Sequence, residues 1–174
     1  MAVRHLVRAR LRPPLLPARP RGAAPILSRL PRDARKRIAA NHTTAFSING
    51  DPILLSLIGH DPDLASELLE GGTVDRSDVV HALAGHLDEY AITLIPILLE
   101  HEVSPNDIAI SLTSSRFWEG HESDDLLRII TWFNNAASAH PALQNVSRAA
   151  IPRLESQRLA ALEKEEEEAV RGFL

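Results

Sequence analysis

From residue 50 onward the chain is a series of short apolar runs opened by a Pro or capping residue, the first three of them closed by Gly. "NGDPILLSLIG" sets Asp51 as N-cap and Pro52 as the first helical residue, with Gly59 as the stop. "HDPDLASELLEGG" repeats the device with Asp61, Pro62 and Gly71. "TVDRSDVVHALAG" has Thr73 or Asp75 as cap and Gly85 as stop. "LDEYAITLIPILLEHE" predicts a longer helix, kinked at Pro96. "SPNDIAISL" offers Ser104 as N-cap, Pro105 next, and Asp107 in the place of the capping-box acid. A further helix is expected to start at Ser123, where two acids favour the N-terminal dipole. Pro141 to Arg171 reads as one long helix interrupted at Pro152. Thr43 to Gly50 could form a short strand and an Asn-Gly turn, but one strand makes no sheet, so the expected class is all-α.

The runs resemble one another. "VDRSDVVHAL" (Val74 to Leu83) aligns with "VSPNDIAISL" (Val103 to Leu112) at an offset of 29. Upstream, "LLEGG" aligns with "LLEHE" after a slip of one residue. Downstream, "GHLDEYAITLIPIL" aligns with "GHESDDLLRIITWF" at an offset of 35. The matches fall at apolar positions with helical spacing, as stacked helix pairs require.

Between about residues 50 and 136 the arrangement resembles the ankyrin repeat. The stretches that carry the likeness are "LLEGGTVD", "VVHALAGHLDE" and "LLEHEVSPND", with His81 where that family has the His of Thr-Pro-Leu-His. Thr-Pro-Leu-His itself is absent, and the Gly-His steps from Gly59 to Gly85 to Gly120 are uneven. The resemblance implies a degenerate ankyrin-like solenoid of short helical hairpins, closed by a long C-terminal helix. A generic helix-pair solenoid and an irregular helical bundle are the alternatives.

Charge divides the chain. Residues 1–40 hold ten Arg and Lys36 against the single acid Asp33, and the remainder carries a balance of -14. The first forty residues also hold six prolines, which disfavour a packed core. Val3, Leu6, Val7 and Leu11 follow helical spacing, with Arg4, Arg8 and Arg12 on another side and Arg10 between them. That is the pattern of a mitochondrial presequence, although serine is scarce. A basic tail that meets RNA or an anionic membrane by charge alone, or a leader without a role, is the alternative. No aromatics are interleaved to stack bases, so no specific nucleic-acid module is read. The expected organisation is a leader over 1–40, a helical repeat domain over 41–140 and a C-terminal helix or cap over 141–174. The expected compartment is mitochondrial, with cytoplasmic as the alternative.

The chain has no cysteine and no apolar run long enough to span a bilayer; "AITLIPILL" reads as a buried helix. Eight histidines invite a metal reading. Yet His60, His86 and His121 each follow a Gly at a helix joint, and equivalent repeat positions lie along a stack rather than converge. There is no Gly-x-Ser-x-Gly elbow and no phosphate loop. No catalytic, cofactor or metal residues are assigned, and no cofactor is expected. The expected role is a non-enzymatic protein–protein interaction module with a protein partner that presents a basic patch. Candidate contacts are Arg116, Phe117, Trp118 and Glu119 in the distinctive loop, with Arg76, His101 and Glu102 on the helix connections. The rivals are an organellar assembly subunit that docks through its C-terminal helix, and a small His/Glu enzyme.

Overall fold

The computed structural model describes residues 27–43, 52–114 and 121–172. Within them lie α1 (Arg32–Asn41), α2 (Ile53–Ile58), α3 (Pro62–Glu70), α4 (Arg76–Ala82), α5 (Glu89–Glu100), α6 (Pro105–Leu112), α7 (Glu122–Ala139) and α8 (Gln144–Gly172). A 3-10 turn at Pro141–Leu143 leads into α8. The protein is all-α over these residues. The strand expected at Thr43 to Gly50 falls almost wholly outside them, as does Asp51.

Side-chain caps explain three of the helix starts. Asp61 Oδ1 accepts the Leu64 N–H at 3.0 Å, and Pro62 opens α3. Asp88 Oδ1 accepts the Tyr90 N–H at 3.0 Å, so α5 begins at Glu89. Ser104 Oγ accepts the Asn106 N–H at 3.2 Å ahead of Pro105. Asp75, rather than Thr73, holds the N-cap position of α4. Pro52 is the N-cap of α2, one position earlier than its expected place inside the helix.

Two starts and stops depart from expectation for reasons that lie outside their own segments. α7 begins at Glu122 with His121 as N-cap, and Ser123 sits buried in its first turn. Its N–H and hydroxyl both go to Glu165, far along α8, at 3.0 and 2.6 Å. α8 runs unbroken through Pro152. Both Pro152 and Arg148 are exposed, so the carbonyl that loses its intrahelical donor faces water.

α3 and α5 end in the same backbone motif. After α3, the Gly72 N–H bonds Leu69 O at 3.1 Å and the Thr73 N–H bonds Leu68 O at 2.9 Å. After α5, the Glu102 N–H bonds Leu99 O at 3.0 Å and the Val103 N–H bonds Leu98 O at 2.9 Å. Each is a Schellman ending, with the left-handed residue at Gly72 (φ 62°) or Glu102 (φ 61°). The slip between the two stretches is one extra residue in the α3–α4 connection, where the Val74 N–H also reaches Leu68 O. Glu102 carries a Cβ in a conformation that disfavours one. Glu102→Gly should therefore raise stability by about 0.5 kcal/mol, after the added flexibility of the unfolded glycine is deducted. Urea unfolding measures this; a loss of stability would mean that the Glu102 side chain contributes more than its backbone costs.

Neighbouring helices α1 and α2, and α2 and α3, are in contact, and packing also runs between alternate helices. α1 contacts α3, α3 contacts α5, and α5 contacts the 3-10 turn; α2 contacts α4, α4 contacts α6, and α6 contacts α8. α7 packs along α8. The core lies between the two rows and is aliphatic apart from Phe133, as the scarcity of aromatic residues requires. Of the positions aligned at an offset of 29, Val79 and Ile108 are both buried, as are Leu83 and Leu112, while Val74 is buried and Val103 only partly. At 35, Ala91 and Leu126, Ile95 and Ile130, and Leu98 and Phe133 are buried in both members, whereas Ile92 is partly buried and Leu127 exposed, and Leu94 is buried and Ile129 only partly. α8 is tied to the end of α6 by Arg153, which donates to Ala109 O at 3.4 Å and to Thr113 Oγ1.

The folded part also extends across the expected division at residue 40. Ala39 of α1 is fully buried. Arg35 donates to Leu57 O at 3.1 Å and to Asp61 Oδ2 at 2.7 Å. Arg32 and Lys36 share Glu67, whose carboxyl the Lys36 hydrogen bond holds below its usual range. Part of the basic charge of the first forty residues is thus spent on the acids of α3.

Candidate interaction groove

Where α4 and α6 lie side by side they leave an open groove of 560 Å³. α4 supplies Arg76, Val80 and His81 because helical spacing puts positions three to five apart on one face. α6 supplies Asp107, Ile110 and Ser111 by the same rule, and Val103 closes the end. The Ser111 hydroxyl donates to Val80 O, which satisfies one of the last carbonyls of α4 and fixes the two helices together. The apolar part of the surface is Val80, Val103 and Ile110. Ile110 is 44% exposed, one of four large hydrophobics left so open among the described residues.

Arg76, His101 and Glu102 come together at one rim. The Arg76 Nη1 donates to His101 O at 2.6 Å, an orphan carbonyl at the end of α5. Glu102 follows directly and holds the left-handed turn into Val103. Among the described residues the groove lining holds Asp107 and Arg76, and the exposed Asp75 and Glu102 adjoin it in the chain. Arg116, Phe117, Trp118 and Glu119 lie outside the described residues, as do Arg4, Arg8, Arg10 and Arg12.

The groove residues Val80, Asp107, Ile110 and Ser111 were not singled out by spacing alone. A signal was present: at the offset of 29, Ile110 takes the position of His81. One unit therefore has an exposed aliphatic side chain where its sibling has a polar one.

The Gly-His histidines divide into a pair and a single. His60 and His86 lie on the ring of Tyr90, with centroid distances of 4.8 and 6.1 Å. His60 Nε2 is 3.8 Å from Glu89 and His86 Nδ1 is 3.2 Å from Asp88. His121 is elsewhere, 3.7 Å from Glu165. The Ser123 hydroxyl, then its N–H, hold the Glu165 carboxyl below the usual range. Among the described residues no group of three or more His, Asp or Glu is placed to hold a metal ion. No helix among them is long and apolar enough to cross a membrane. The chain matches no protein-family model, no curated protein and no solved structure.

Proposed function

We propose that the chain is a non-enzymatic protein–protein interaction module built as a short stack of ankyrin-like helix pairs. The observation that carries this reading is the α4–α6 groove, an open surface between successive pairs with Ile110 exposed in it. The alternate-helix contacts, the twin Schellman endings and the shared burial of several aligned positions support the stacked-pair reading. The net acidity of the chain after residue 40 and the acids in and beside the groove favour a partner with a basic patch. The Arg-rich, acid-poor start supports a mitochondrial destination, with the first residues as a presequence.

A second reading, an assembly subunit that docks through α8, draws on the exposed Leu159 (61%) and Val170 (67%). Deleting α8 cannot separate the two, because Val146, Ala150 and Leu154 belong to the core. Point changes can. Affinity capture with the purified full chain should lose its partner about tenfold on Ile110→Asp, equivalent to about 1.4 kcal/mol, and keep it on Leu159→Glu. Circular dichroism should be unchanged in both. The opposite pattern would move the interaction to α8, and capture indifferent to both changes would remove both surfaces.

A further inference from the structure

We infer that the α4–α6 groove is occupied, in the full chain, by the chain's own N-terminal segment, residues 1–26. The inference rests on the groove being the interaction surface, and it names the groove's resident ligand and hence its regulation.

Three observations converge. The first is chemical fit. The apolar lining is Val80, Val103 and Ile110, Asp107 lines the groove with them, and the exposed Asp75 and Glu102 adjoin the lining residues Arg76 and Val103 in the chain. Arg76, which also lines the groove, is engaged by the His101 carbonyl. Such a surface takes an apolar side chain flanked by cations. Residues 1–26 hold six arginines and no acid, with Val3, Leu6, Val7 and Leu11 set among Arg4, Arg8, Arg10 and Arg12.

The second is long-range charge. The chain's net charge of -4 includes those six arginines, so residues 27–174 carry -10. The two parts attract one another, and the contact is screened over about 10 Å at ordinary ionic strength. Arg29, Arg32, Arg35, Lys36 and Arg37 belong to the described part, and three of these pair with Asp61 and Glu67.

The third is reach. The described residues begin at Leu27, which packs against the core. The groove lies two helices along the row from α2, about 20 Å at ordinary interhelical spacing. An extended segment of twenty-six residues spans roughly 85 Å. A tethered ligand within such reach has an effective concentration in the millimolar range, enough to fill a site of modest affinity. A basic apolar segment in the groove blocks a partner of the same chemistry. Removing the segment opens the surface.

The test uses the full chain with a photoreactive benzophenone amino acid in place of Leu6. On irradiation, crosslinks within one chain should concentrate on residues 76–81 and 103–114. They should fall about fivefold with Asp107→Lys and Ile110→Asp together, and likewise in about 0.5 M salt. Crosslinks elsewhere in the chain, crosslinks between copies, or a pattern unmoved by those substitutions would overturn the inference. Its failure is distinct from failure of the interaction reading: partner capture that still depends on Ile110 would leave the groove as the surface and remove only its internal occupant.

Discussion

Asp61→Ala should cost about 3 kcal/mol at pH 7, more than any other change to a charged residue in the described structure. Two losses add. Asp61 Oδ1 caps α3 through the Leu64 N–H, and a lost cap costs about 1 kcal/mol. Asp61 Oδ2 also pairs with Arg35, whose side chain is only 13% exposed and whose other Nη is committed to Leu57 O. Alanine leaves that guanidinium partly buried against a carbonyl with no counter-charge, for about 2 kcal/mol, less than for a fully buried pair. Arg35→Ala should cost less, because Asp61 then still caps α3 and stands closer to water. In the double variant Arg35→Ala should add little to Asp61→Ala, since its partner is already gone, whereas Asp61→Ala added to Arg35→Ala should still cost the cap, about 1 kcal/mol. Urea unfolding of the four chains closes this cycle. Equal, additive costs would show that the pair is not coupled.

The same pair sets a pH dependence. Burial pushes the Asp61 carboxyl up, but the Leu64 N–H and the Arg35 guanidinium together outweigh it and hold the group below its ordinary value of 3.8. The folded state therefore favours the ionised form. The resulting stability is present in full above about pH 4 and is lost as pH falls through the depressed folded value. The deficit of Asp61→Ala should accordingly be constant from neutral pH down to about 5 and shrink below about 4. A deficit that grows in acid would contradict the assignment.

Asp61 also shows what was legible in the chain before its fold. Its role as a cap could be read because a cap acts within three residues, and Pro62 and Gly71 punctuate the same helix. Asp88 was not picked out as a cap, although it bonds the Tyr90 N–H only two residues on, and α5 had been expected to open at Leu87. The partnership of Asp61 with Arg35 was hidden, since it spans a connection of uncertain course and Arg35 lies in a segment whose composition suggested a leader. Ser123 was legible as a helix-start residue, but not as one whose donors are both taken by Glu165 on another helix. Pro152 was expected to interrupt α8, because sequence alone does not say that its bare carbonyl would meet water. Glu102 gave no sign of a left-handed backbone, since no glycine stands there; only alignment with Gly72 shows it. The groove was the least legible feature. It is made by two helix faces, and neither face is apolar enough to stand out alone.

Gly59→Ala is the other large effect, and it concerns the first Gly-His joint. The backbone at Gly59 is right-handed (φ -63°), so no conformational strain bars a side chain. Space does. A Cβ would lie 2.2 Å from Tyr90 Cδ1 and 2.6 Å from Leu55 O. The carbonyl cannot move without loosening the 2.8 Å bond from the Gly59 N–H that closes α2. The Tyr90 ring must then give way, and it stands between His60 and His86, at the capped first turn of α5. Overpacking of this kind costs about 3 kcal/mol, a fall in melting temperature of roughly 6–12 °C for a chain of this length. The origin can be isolated. In a Tyr90→Ala background the ring is gone and only the Leu55 carbonyl remains in the way, so Gly59→Ala should cost about 1 kcal/mol there. An undiminished cost would place the obstruction in the α2 backbone rather than at the ring. By contrast, Gly72→Ala meets no atom within 4 Å and should cost about 1 kcal/mol through its φ of 62° alone. The two glycines end helices in the same chain for different reasons: Gly72 because of its own backbone, and Gly59 because a neighbouring ring occupies the place of a side chain.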